Sequence, residues 1–579
     1  MFVCILLIAT VIPAVGSLKN SAINATVPST LGRSIAANWT EIQKLIASDG
    51  AASDYFGCSV SLSGDTALIG ASYDDNHQGS AYVFIRNGTT WTQQAKLLAS
   101  DGTALDYFGQ SVSLDGDTAL IGAENYNSGI GSAYVFTRTG TTWTQQAQLN
   151  TSNGAIGYFG YSVSLSGNTT LIGAPNDNDN GNISGSAYVF TRTNTTWSQQ
   201  AKLLASDGAT NDGFGVSVSL SDNTALIGAY FDHDNGAWAG SAYVFTRDGI
   251  TWAQQAELFA SDGAFNDRFG FSVSLAGGTA LIGACYDDDN GVDSGSAYVF
   301  TRTGTTWTQQ QKLLASDGAT RDTFGYSVSL DGDTALIGAY YDYDNGEGSG
   351  SAYVFTRTGT TWTQQAKLLA SDGATGDAFG YSVSLDGDTV LIGAVYDDDN
   401  GLDSGSVYVF KGPNQPPNPP TITGPTEGKV GIAHGFNITT IDPDGDEVYY
   451  FIDWGDNTTS GWLGPFTSGQ QMTVSHTWDK KGEYLIKSKA KDVSELESNW
   501  SDPNIFNVYE LKKAFLFGRY TNMSTEGDYI IVEAVNLRMI LFTPFEYLHY
   551  IAGEKITFSN QYNGIIANHF LIGMFNVKE

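Results

Sequence analysis

Seven copies of one segment fill most of the 579-residue chain, and that periodicity constrains the fold more than any local feature. The marker is Phe-Gly, followed one residue later by Ser-Val-Ser-Leu. Its glycine falls at Gly57, Gly109, Gly160, Gly215, Gly270, Gly325 and Gly380, in steps of 52, 51, 55, 55, 55 and 55 residues. A fixed period of this length means stacked supersecondary units that bury their apolar faces against one another.

Each copy parses into four short strands. In the sixth copy they are expected at 324–330, 334–339, 351–357 and about 361–369. Alternation of apolar and polar residues, as in Ser327-Val328-Ser329-Leu330 and Ala352-Tyr353-Val354-Phe355, favours strand over helix. Asp331-Gly332-Asp333 supplies a tight hairpin turn, and Thr358-Gly359-Thr360 another. Four antiparallel strands taken seven times are the arithmetic of a β-propeller. The fourth strand carries a tryptophan (Trp91, Trp143, Trp197, Trp252, Trp307, Trp362), but the last copy stops after Phe410 without one. An orphan fourth strand, Trp39 to Ile46, stands instead before the first copy. It is expected to complete the seventh sheet, closing a ring and hiding its edges.

The repeated residues Phe56-Gly57, Leu68-Ile69-Gly70-Ala71 and Tyr82-Val83-Phe84, with their equivalents in every copy, resemble the FG-GAP repeat family. That resemblance implies a seven-bladed propeller of the kind at the head of integrin α subunits. In integrin-type repeats a calcium loop joins the first two strands. Here that place holds only a tight turn such as Ser63-Gly64-Asp65, so the family's metal site does not transfer to it.

After a stiff Pro-rich linker, 413–420, the segment 421–508 resembles a PKD domain, an immunoglobulin-like β-sandwich. The matching residues are Ile452-Asp453-Trp454-Gly455-Asp456-Asn457, Val474-Ser475-His476-Thr477-Trp478 and Gly482-Glu483-Tyr484. Residues 509–579 read as a β-rich module of no recognised family. The expected fold class is therefore all-β: a propeller over 38–412 closed by the strand 38–47, a sandwich, and a small C-terminal module.

The formal charge of −33, from 61 acidic against 28 basic residues, disfavours nucleic acid and anionic lipid, which need clustered Lys and Arg. It suits cations and neutral partners such as glycans. Cys4, Cys58 and Cys285 lie too far apart for a disulfide framework. The apolar run Phe2 to Val15 is shorter than the roughly 20 residues of a membrane span, and 1–16 is read as a secretory signal. The expected localisation is secreted or cell-surface, with no membrane insertion after cleavage.

Chain direction puts the loop between strands two and three on the same face as the loop leading into strand one. Both loops are acidic. The expected calcium ligands are Asp232 and Asp234 in the fourth copy, Asp287, Asp289 and Asp293 in the fifth, Asp342 and Asp344 in the sixth, and Asp397, Asp399 and Asp403 in the seventh. Asp207, Asp262, Asp317 and Asp372 stand on the lead-in loops. Clustered carboxylates repel, by about 1 kcal/mol for a pair 4 Å apart in water, and Ca²⁺ takes about six to eight oxygens from flexible loops. The same residues also make good solvated turns. The second copy departs, with Glu124 and Asn125 in place of the Asp run. Trp238, Tyr341 and Tyr396 are the candidate ligand contacts on this face.

Catalysis has little footing. The six histidines form no spaced metal pair, no Gly-x-Ser-x-Gly elbow occurs, and the carboxylates recur too evenly to single out a glycosidase pair. The expectation is a non-catalytic binding or adhesion protein that presents a rigid disc to an extracellular protein or polysaccharide, with calcium assisting. The alternatives are a polysaccharide-acting enzyme or its non-catalytic subunit, and a structural envelope component.

Overall fold

A computed structural model describes residues 39–151, 154, 156–526, 528–541 and 547–578. The expected signal segment lies outside them. Seven four-stranded antiparallel sheets follow one another along the chain, six of them running from first to fourth strand in sequence order and the seventh taking its fourth strand from the N-terminus. In the first blade the strands are Phe56–Ser63, Thr66–Ala71, Ser80–Asn87 and Thr90–Leu97. First strands of successive blades pack against each other around the axis, including the seventh against the first. The chain is thus a closed seven-bladed propeller with further β-sheets after it.

Closure is made by the N-terminal strand. Thr40–Leu45 pairs antiparallel with Ser406–Lys411, Thr40 opposite Lys411 and Leu45 opposite Val407. The closing seam repeats the bonds of an ordinary one. Ser382 Oγ donates to Gly57 O at 2.7 Å and Arg86 reaches Thr389 at 3.2 Å, as Ser327 Oγ donates to Gly380 O at 2.7 Å and Arg357 reaches Thr279 at 3.1 Å.

The core lies between blades. Leu226, Val244 and Leu258 of the fourth blade pack with Phe269, Ile282 and Phe300 of the fifth, all buried. Ala225, Ile227, Tyr243 and Phe245 point the other way, into the seam with the third blade. Strand alternation therefore feeds two seams at once, and each large side chain buried contributes about 1.5–3 kcal/mol. On the face opposite the acidic loops, Arg302 lies over Trp307 and Arg357 over Trp362 at 5.5 and 5.2 Å. Indole Nε1 of Trp362 donates to Gln310 of the preceding blade at 2.9 Å. The tryptophans thus lock blades together.

One boundary differs from expectation. In the sixth blade the first strand is Ser327–Asp331, beginning three residues later than expected. Phe324 is drawn off its own ladder and bridges Gly295 of the blade before. Gly325 makes the crossing at φ 88°, and a Cβ there would meet Ser296 O at 2.3 Å. That is why Phe-Gly is the invariant of the repeat.

Beyond the linker, one sheet holds Thr421–Thr423, Ala433–Thr439 and Met472–Thr477. A five-stranded sheet includes Val448–Asp453, Gly482–Asp492 and Asn504–Tyr509. Phe436, Trp454, Trp478 and Phe506 form their common core. The last sheet, six-stranded, spans Leu511–Glu526 to Phe570–Lys578 and buries Leu516, Val532, Phe558 and Phe575. Among the described residues no helix is long and apolar enough to cross a membrane.

Candidate ligand-binding face

In every blade but the second, the loop between strands two and three is built around a buried aspartate. In the fifth blade this is Asp287. Its Oδ1 accepts the Asp289 amide at 3.0 Å and its Oδ2 accepts the Tyr298 hydroxyl at 2.8 Å. Asp288 Oδ1 accepts the amide of Asp293, which sits at φ 54°. These bonds fold the loop back on itself, as Asp and Asn side chains do in turns.

The centre of the cluster is occupied by the protein's own cation. Lys312, from the fourth strand, places its Nζ 2.8 Å from Asp262, 2.8 Å from Asp287 and 2.6 Å from Asp289. Burial works against that charge, but hydrogen bonds to the three aspartates outweigh it and hold the ammonium's pKa above its ordinary value. Lys367 binds Asp317, Asp342 and Asp344 in the same way, and Lys44 binds Asp372, Asp397 and Asp399. Lys202 holds Asp177 and Asp179, and Lys96 holds Asp49 and Asp74. Asp403 repeats the turn of Asp293, its amide donating to Asp398 Oδ1 at 2.8 Å. Of the expected calcium ligands in the fifth, sixth and seventh blades, Asp287, Asp289, Asp342, Asp344, Asp397 and Asp399 are therefore clasped around an ammonium, while Asp293 and Asp403 stand in the loop turns outside it. The sequence signal was a Lys-Leu ending the fourth strand, invisible while the loops were read alone.

Two blades lack the lysine. In the second, Gln148 stands there and donates to the Tyr134 hydroxyl at 3.1 Å, a neutral exchange. In the fourth, the residue is Glu257. Asp207, Asp234 and Glu257 each offer an oxygen within 4.8 Å of the others. Asp232 is buried beside them and accepts the Tyr243 hydroxyl at 2.6 Å. Among the described residues no lysine or arginine pairs with these four carboxyls. Glu257 Oε1 is buried without a hydrogen-bond partner. Burial, then Asp207 and Asp232, push the Glu257 carboxyl up to about 8.

Two further exchanges stand beside it, one in the same blade and one in the loop that leads into the fifth. Trp238 stands where the fifth and seventh blades have Asp293 and Asp403, and Phe265 where the sixth and seventh lead-in loops have Thr320 and Thr375. Trp238 is 42% exposed and Phe265 68%, their rings 5.5 Å apart. Phe231 lies 6.3 Å and His233 6.4 Å from Trp238. Asp232 and Asp234 of the uncompensated acid cluster thus share one loop with Trp238, the first ring of an exposed aromatic pair.

The other two aromatic candidates separate. Tyr341 is half-buried in a side cluster, 5.9 Å from Tyr340 and 5.7 Å from Tyr343. Tyr396 lines a cavity of about 210 Å³ at the propeller axis with Tyr55, Tyr73, Tyr107, Tyr381 and Glu124.

The family model of the FG-GAP repeat matches residues 39–84, 91–136, 143–190, 197–245, 252–300, 307–355 and 362–410, together more than half of the chain. The chain belongs to the FG-GAP repeat family. A solved PKD domain of an M14-like peptidase from Thermoplasmatales archaeon SCGC AB-540-F20 is 45% identical over 16% of this chain and 97% of its own, with a TM-score of 0.16. An exo-β-1,3-galactanase from Phanerochaete chrysosporium, solved with β-1,3-galactotriose, is 10% identical. That match covers 80% of this chain and 99% of the galactanase at a TM-score of 0.27, which carries no argument about this protein. A comparison with curated proteins finds no match.

Proposed function

We propose that this FG-GAP protein is a non-catalytic, extracellular or cell-surface binding protein whose acidic-loop face docks a neutral polysaccharide at the fourth blade. The carrying observation is the coincidence of three exchanges: Lys to Glu257 and Asp to Trp238 in that blade, and Thr to Phe265 in the adjoining loop that leads into the fifth. An exposed indole beside a second ring offers the flat apolar surface on which a sugar ring stacks, and Trp is the residue richest in binding energy at such contacts. Asp207, Asp234 and Glu257 fit a hard divalent cation such as Ca²⁺. They are all-oxygen donors, two on loops and one near the end of a strand, and one donor oxygen is buried without a partner. The calcium reading thus narrows from the fourth to seventh blades to the fourth alone, where the cation would order the loop that carries Trp238.

Glycoside hydrolysis draws no support from the axial cavity, whose lining includes a single carboxyl, Glu124, where the reaction uses two. The reading is tested by a glycan array probed with the whole protein in millimolar calcium and in chelator. Binding in calcium, lost by Trp238→Ala and weakened by chelator, is expected. Undiminished binding by Trp238→Ala would remove the fourth blade from the interface, and an array blank for the wild-type protein would remove the glycan.

A further inference from the structure

The axial cavity is a separate site with its own chemistry. It opens where the seventh, first and second blades meet, among residues that follow the Phe-Gly and Gly-Ala of the repeat: Cys58, Gln110, Tyr381, Ser72, Glu124 and Val395. Five tyrosines form a continuous arc around it. Tyr107 to Tyr73 is 5.1 Å between ring centres, Tyr73 to Tyr55 4.4 Å, Tyr55 to Tyr396 5.3 Å and Tyr396 to Tyr381 6.3 Å. Against this arc stands one carboxyl. Glu124 Oε2 is buried and has no hydrogen-bond partner, and among the described residues no lysine, arginine or histidine pairs with it.

A buried carboxylate without a partner is among the most costly groups a fold can hold, and a guest cation removes that cost. A metal ion is poorly served here. It asks for about six to eight oxygens, and the side chains here offer one carboxyl, the Gln110 amide and the Ser72 hydroxyl among phenol rings. Aromatic faces around a single carboxylate suit instead a diffuse organic cation, held by ring quadrupoles and balanced by one charge. The volume, about 210 Å³, lies below the roughly 300–1,000 Å³ of ordinary ligand pockets, so it admits a headgroup or one sugar ring and no more.

We infer that the axial cavity binds an organic ammonium group, with Glu124 as counter-ion and the arc of Tyr55, Tyr73, Tyr107, Tyr381 and Tyr396 as its aromatic wall. The site is independent of the fourth blade. An amino sugar and a quaternary ammonium share the required chemistry, so both are tried.

The experiment is calorimetric titration of the whole protein at about pH 7, where the glucosamine amine is still mostly protonated and Glu124, pushed up to about 7 by burial, is drawn to its ionised form by a bound cation. The probes are glucosamine, choline, and 3,3-dimethylbutanol as choline's neutral isostere. Saturable binding of glucosamine or choline is expected, with the isostere at least about tenfold weaker, since the charge is what the site reads. Which of the two ammonium probes binds more tightly tells an amino-sugar guest from a quaternary one. Glu124→Gln keeps the volume and should weaken that binding about tenfold or more. Tyr73→Leu, which spares the carboxyl, should weaken it as well and serves if Glu124→Gln does not fold. Glu257→Gln, in the fourth blade, should leave the affinity unchanged. The proposal is overturned if neither ammonium compound binds, if the isostere binds equally, if Glu124→Gln binds as well as the wild-type protein, or if calcium displaces the probe.

Discussion

Replacing Glu257 by lysine should stabilise the propeller and abolish its response to calcium. The wild-type blade holds Asp207, Asp232, Asp234 and Glu257 together with no ammonium among them, and Glu257 is pushed from 4.5 up to about 8 by burial and its acidic neighbours. The sign follows from that direction. A carboxyl whose folded pKa is raised adds stability below its unfolded pKa and loses it as pH climbs through the folded one, here from about 4.5 to about 8. At pH 7 the full shift would cost about 3 kcal/mol. Asp207 and Asp234 face water, and solvent screening brings the figure to about 1–2 kcal/mol. A lysine at 257 also gains what Lys312 has in the next blade, three carboxylates at 2.8, 2.8 and 2.6 Å, less the entropy of fixing its stem. The sum is a gain of about 2–3 kcal/mol, or a few degrees of melting temperature in a domain this large. The assay is thermal unfolding of both proteins in chelator and in millimolar calcium. Wild type should melt higher with calcium, and Glu257→Lys should melt higher than wild type in chelator and ignore calcium. At pH 4.5 the gap between them should narrow, because Glu257 is then protonated in the folded protein. A lysine variant that melted lower than wild type, or that kept a calcium response, would refute the reasoning.

The reverse change belongs to the fifth blade. Lys312→Met strips the counter-ion from buried Asp287 and should destabilise the protein by about 2–4 kcal/mol, visible as a lower midpoint in urea. If the midpoint stayed put, the ammonium would not be holding the loops together. A third prediction concerns pH. Burial pushes Asp212, Asp267, Asp322 and Asp377 up to about 6, so these groups add stability below about pH 4 and lose it as pH rises through 6. Asp322→Asn keeps the acceptor that takes the Ala319 amide at 2.6 Å, and should flatten the fall of stability between pH 4 and 6 by about 1–2 kcal/mol. Denaturant melts across that window, unchanged by the substitution, would count against it.

The ring was legible because its causes are local and repeated. Repeated apolar runs between tight turns mark the second, third and fourth strands, and the stray Trp39 segment answers the missing strand after Phe410. The first strand was misjudged because Phe324 answers to the neighbouring blade, a preference that only the assembled ring creates. The acidic loops were found, but their chemistry was half read. Asp262, Asp287 and Asp289 come from two loops, and the lysine that joins them lies on a strand more than twenty residues from either Asp287 or Asp289. Glu124 was seen to break the Asp run. Its place beside Tyr381, at the other end of the repeat array, depends on closure and has no trace in local sequence.

Repetition also supplies the measure of what is functional. At the seams residues answer to a neighbouring blade, and the same serine-to-glycine contact recurs at all seven, closing seam included. A departure there would damage packing, so seams stay uniform. Positions on the acidic-loop face are free of that demand, and drift alone would scatter departures over all seven blades. In the second blade the lysine gives way to a neutral residue, and Gln148 simply bonds to Tyr134. In the fourth the replacement adds charge, leaves an oxygen without a partner, and sets two exposed rings beside it. Each of those changes is unfavourable for an isolated disc, the first by electrostatics and the last by exposing apolar surface to water. Costs gathered in one place, with nothing inside the fold to offset them, call for something outside it, and the proposed cation and sugar ring are partners whose chemistry matches.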